Sequence, residues 1–79
     1  MDNKKSKELA FLQEAGLQLV ANKIFCGYML ASEIMPVEPE HFVEDYIVRC
    51  LNYPTKMMKS SIWRYFLENL IIYRKIHRR

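Results

Sequence analysis

"FCGYMLASEIM", Phe25 to Met35, decides how many helices the chain makes. Its apolar residues fall at every angle of a helical plot and only Glu33 is charged, so it reads as a short second helix buried on most sides. Pro36 ends it, because a proline ring removes a helix donor and biases the residue before it away from helix. Gly27, lacking a Cβ, leaves room there for another backbone to approach.

Upstream, the polar residues 1–6 read as a frayed arm, and the first helix is expected after Ser6, whose hydroxyl caps it while Glu8 suits the helix dipole. Leu9, Leu12, Gly16, Leu19, Val20 and Ile24 plot on one face of that helix, as its core side, with Glu14, Gln18 and Asn22 on the other. Phe11 falls on the polar side, where it is either a scattered surface aromatic or part of a partner site.

Downstream, a third helix is expected from Glu38, with Pro39 at its first position, where the missing N–H costs nothing. Phe42, Val43, Tyr46, Ile47, Cys50 and Leu51 form its apolar face, Glu40, Glu44 and Asp45 lie away from it, and Asp45 is spaced to pair with Arg49. Asn52-Tyr53-Pro54 punctuates the chain, and Thr55 or Ser60 caps a last helix of about 20 residues. Ile62, Trp63, Phe66, Leu70 and Tyr73 centre its apolar face, leaving a narrow polar strip of Arg64, Glu68 and Lys75. The expected fold is all-α: a compact bundle of about four helices in one domain, 1–79, with the last helix longest and most central and a basic tail over 75–79.

The 79 residues suffice for one core, yet 51% are apolar and 13% aromatic, which is rich for so small an interior. Some of that apolar surface is expected to end in an interface. Charge divides the chain: residues 1–54 set five Lys or Arg against eight acids, a net −3, while residues 55–79 set seven against Glu68 alone, a net +6. Such asymmetry suits a basic face for phosphate, or an acidic and a basic face that pair between copies. Two cysteines are too few for a disulfide scaffold, and no signal peptide opens the chain, so a cytoplasmic protein with free, buried thiols is expected. The longest charge-free stretch, Ile24 to Ser32, is far short of the roughly 20 residues of a membrane span.

The run from Leu9 to Leu51, with Gly16, Tyr28, Ala31 and Pro36, resembles a tetratricopeptide helix pair, although Gly16 to Pro36 is about four residues shorter than that motif allows. The resemblance implies a helix pair over half the chain and assigns no functional residue.

Chemistry is sparse. Cys26, Cys50, His41 and His77 match no metal-ligand spacing, glycine-rich phosphate loops are absent, and Glu38, Glu40, Glu44 and Asp45 read as a solvated acidic face. Cys50, on an apolar stripe, reads as a small core residue. No catalytic residue, cofactor or metal is therefore assigned, and no enzymatic activity is expected. The expected function is a small adaptor or regulator that binds a protein, or itself as a homodimer, through helix faces; its size suits an accessory protein of a phage or plasmid. The candidate partner-binding residues are Phe11, Arg64, Ile71, Ile72, Arg74, Lys75, Arg78 and Arg79. The alternative is a nucleic-acid-binding regulator, with Arg64, Arg74, Lys75, Arg78 and Arg79 on phosphates.

Overall fold

A computed structural model describes residues 3–52 and 54–77, with side chains from residue 14 onward. Among the described residues there are three α-helices and no strand: α1 over Asn3–Ile34, α2 over Pro39–Cys50 and α3 over Lys56–Ile76. The all-α class stands; the count of four does not. Phe25 to Met35 is no separate helix, because nothing between Val20 and Ile24 breaks the first one, and a lone interior glycine costs only about 1 kcal/mol. The expected tetratricopeptide turn is missing for the same reason. Ser6 lies within α1 rather than capping it, since helix already begins at Asn3. The longest helix is α1, with 32 residues against 21 in α3.

Helix ends follow local chemistry. Past Ile34 the Met35 amide still donates to Ala31 O at 3.1 Å, and Pro36 then stops the helix. Pro39 opens α2 behind Glu38 in extended conformation. Thr55 caps α3: its hydroxyl accepts the Met58 amide at 3.1 Å. Arg74 and Lys75 in the last turn of α3 suit the negative end of its dipole.

α1 packs against both other helices. The buried core comprises Ala21 and Ile24 of α1, Val43 and Ile47 of α2, and Ile62, Phe66 and Leu70 of α3. Leu17, Val20, Phe25, Tyr28, Phe42 and Trp63 close over it, half-buried. The aromatic rings centre on Phe66, which meets Phe25 and Tyr28 edge-on at centroid distances of 5.8 and 5.5 Å and stacks on Trp63 at 5.7 Å. Tyr28 in turn meets Phe42 edge-on at 6.0 Å, tying α2 to the same cluster. Gly27 makes room not for a backbone but for a ring: a Cβ there would lie 3.3 Å from Phe42 Cζ.

The core-facing side of α1 is rotated from the expected one. Ile24 is fully buried, while Leu19, about 140° away around the helix, is 65% exposed. The segment expected to be buried on most sides also opens to solvent, with Leu30, Ile34 and Met35 exposed. Both thiols are exposed, so Cys50 is no core residue; it is the last residue of α2, where the helix ends in solvent.

The molecule is elongated, 52 × 29 × 15 Å, and α1 at about 48 Å accounts for its length. Its radius of gyration is 14.6 Å, against about 12 Å for a compact domain of this size. It exposes 6777 Å², about 1,700 Å² more than the roughly 5,000 Å² of a typical folded monomer of 9.5 kDa.

Phe66→Ala is expected to cost about 3 to 5 kcal/mol, enough to abolish a cooperative thermal transition in so small a domain. Gly16, with nothing within 4 Å of an added Cβ, should respond in the opposite sense: Gly16→Ala is expected to stabilise the fold by about 0.5 to 1 kcal/mol in chemical denaturation, and Gly27→Ala by less because Phe42 must shift.

Candidate functional site

A cleft between α2 and α3 is lined by Glu40, Val43, Glu44, Ile47, Lys59 and Trp63 and holds about 110 Å³, well under the roughly 300 Å³ at which small-molecule pockets begin. Among the described residues no three His, Cys, Asp or Glu side chains converge on a metal position, and no helix is long and apolar enough to cross a membrane.

The residues singled out in the sequence separate into three groups. Ile71 and Ile72 are about half exposed, on either side of α3, and Arg74 and Lys75 are exposed in its last turn. Arg64 is exposed but engaged: its guanidinium donates to Glu14 Oε1 at 3.4 Å and lies 5.2 Å from the Tyr65 ring centroid. The Phe11 side chain, Arg78 and Arg79 lie outside the described residues. The fold thus places five of the eight on the outer surface of α3, four of them within its last six residues, Ile71 to Ile76.

Glu14, plotted on the solvent side, faces α3. The Tyr65 hydroxyl donates to the same Glu14 carboxylate oxygen as Arg64, and farther along α1 the Asn69 amide donates to Asn22 Oδ1 at 2.8 Å. These polar contacts run along the flank of the α1–α3 interface and fix its register, as chemically specific pairs do where apolar packing alone tolerates slippage. The hydrogen bond to Glu14 is the main cause that raises Tyr65 above the ordinary tyrosine value of 10.0, with desolvation adding to it and Arg64 opposing it. On α2, Arg49 Nε pairs with Asp45 at 3.1 Å across one helical turn, in full solvent.

Sequence reasoning missed the largest exposed apolar residues. Ile34 is 85% exposed and Met57 79%, and Leu19, Leu30, Val48 and Ile76 are all more than 60% exposed. For Leu19 and Leu30 a signal exists: with Cys26 they recur at intervals of seven and four on the side of α1 opposite Ala21, Ile24 and Tyr28.

The fold and its surfaces define an all-α, three-helix protein with apolar outer faces. No protein-family model matches the chain, and neither does any curated protein or any solved structure.

Because folding raises the Tyr65 pKa, the folded state holds that proton more tightly; the resulting stability is complete below pH 10 and is lost as pH climbs through the folded-state value. Melting measured from pH 8 to 11 should therefore fall more steeply for the native protein than for Tyr65→Phe, which lacks the ionising hydroxyl.

Proposed function

We propose that this chain is a non-enzymatic adaptor or regulator that binds protein through its helix faces and does so as a homodimer. The observation that carries this reading is the apolar outer surface: Ile34, Met57 and Ile76 are each more than 70% exposed in a chain whose surface already exceeds that of a compact monomer. Exposed apolar area of this extent drives association, since its removal from water yields roughly 25 cal/mol per Å² before the costs of docking. The opposed charges assist: Glu38, Glu40 and Glu44 open α2, while Arg74 and Lys75 end α3, giving each copy an acidic and a basic end to offer another.

A phosphate-binding reading rests on exposed Arg74 and Lys75 and on the +6 balance of residues 55–79. Support for it is thinner, because the aromatics that would stack on bases are otherwise engaged: Trp63 lies on Phe66, and Tyr73 contacts Phe25 and stacks on His77 at 4.2 Å.

Sedimentation over a concentration series should give twice the 9.5 kDa chain mass at high micromolar concentration, unchanged by nuclease and modestly weakened by added salt, which screens the opposed charges. A monomer throughout would remove the homodimer. Binding to duplex DNA that weakens steeply with salt and vanishes when Arg74 and Lys75 are replaced by glutamine would instead favour the phosphate reading.

A further inference from the structure

We infer that the cleft between α2 and α3 is a docking site for a second copy of this chain, which seats in it the basic end of its own α3, Ile71 to Ile76. The inference rests on the self-association proposed above and says which surfaces carry it.

The cleft is built for side chains. α2 and α3 both lie on α1 and scarcely meet each other, so a gap stays open between them. Buried Val43 and Ile47 and half-buried Trp63 give it an apolar lining, and its volume, too small for a cofactor, suits one or two side chains of a partner. Its edge is charged. Glu40 and Glu44 stand one turn apart on α2, both exposed, with Lys59 of α3 as the one cation among the lining residues. Among the described residues neither glutamate forms an ion pair, and Glu38, just ahead of α2, is exposed and unpaired as well. Three carboxylates against one ammonium leave a negative rim around an apolar lining, and the fitting occupant is cationic and apolar together.

The complement lies at the far end of α3. Ile71, Ile72 and Ile76 are each more than half exposed, with Arg74 and Lys75 exposed among them. Among the described residues no acid pairs with either cation, and the sequence holds none from Asn69 to Arg79 that would repel the glutamates. Cleft and basic end thus match in both properties, charge and apolarity.

Within one chain the two are kept apart. Trp63 and Arg74 ride on the same continuous helix, about 17 Å from each other along its axis. A second copy whose α3 runs antiparallel to the first brings them together, because a two-fold axis across the middle of α3 carries the end of each helix to the cleft of the other. Both clefts and both ends are then used at once, and the contact closes. A foreign basic peptide would fill the cleft but leave the isoleucines and cations of α3 uncovered; a second copy accounts for both.

Sedimentation of the full chain, of Glu40→Lys with Glu44→Lys, of Arg74→Glu with Lys75→Glu, and of the variant combining all four tests this, with helical circular dichroism as the check on folding. All four positions are exposed, so the fold should tolerate the changes. Each pair sets like charges against one another and should raise the dimer dissociation constant roughly tenfold or more. The combined variant exchanges the signs and should return to within about threefold of the native value, the coupling expected of groups in contact. Independently, Trp63 is the chain's one tryptophan, so the fluorescence of the native protein reports on the cleft. It should lose part of its accessibility to acrylamide as protein concentration rises and dimer forms. A dimer that survives either charge pair, a combined variant that associates no better than the pairs, or a native dimer whose Trp63 is quenched as readily as the monomer's would overturn the docking and leave self-association standing. A native protein that is monomeric at every concentration would overturn both, and shielding of its Trp63 by an added arginine-rich peptide would then assign the cleft to a foreign partner.

Discussion

Phe66 is the constraint on which the rest of this structure depends. It is fully buried and three aromatic rings from two helices converge on it: Phe25 and Tyr28 from α1, Trp63 from its own turn of α3. Edge-to-face contacts of this kind favour particular ring angles as well as burial, so the cluster sets how α3 lies on α1 rather than merely holding them together. α2 is attached to the same centre through Tyr28 and Phe42, and Gly27 is the vacancy that lets the Phe42 ring reach it. Among the described residues the core holds seven buried side chains, all of them in this one cluster.

The polar pairs at the flank of the α1–α3 contact act differently. Glu14 gathers both Tyr65 and Arg64, and Asn22 takes the Asn69 amide, all at the edge of the interface and in contact with water. Exposed pairs contribute little net energy each, on the order of a few tenths of a kcal/mol to 1 kcal/mol. Their value lies in geometry: Glu14 and Asn22 stand eight residues apart on α1, and both are matched only when α3 lies in one register.

Much of this was legible in the residues. Pro36, Pro39 and Thr55 mark helix ends by local rules that tertiary structure seldom overrides, and the structure puts ends at all three. The apolar face of α3 was legible because it is crowded: Ile62, Phe66 and Leu70 are buried whichever neighbour covers them. α1 was harder for a physical reason. It bears two apolar stripes, and periodicity alone does not say which of them faces the chain's own core; the residues taken for the core side included Leu19, which faces water, and Glu14, taken for the solvent side, reaches α3. The same doubling made Phe25 to Met35 look apolar all round and so like a separate buried helix. A continuous helix with two faces and two helices with one face each give nearly the same plot. The outer-surface residues of α3 were recoverable, since Ile71 and Ile72 exceed what one small core requires, whereas Leu30 and Ile34 were hidden by the assumption that their segment was internal.

The modest core has a further consequence, in mass action. A domain of this size, whose described core is seven buried side chains, is marginally stable, and any molecule that binds only the folded form shifts its folding balance by RT ln(1 + [L]/Kd). A ligand present at a hundred times its dissociation constant adds about 2.7 kcal/mol, a large share of the whole stability of a chain this small. The amount of intact protein in a cell would then follow the supply of whatever covers its apolar faces, and chains left without it would pass to proteases. Thinness of the interior would, in this sense, make abundance a readout of occupancy.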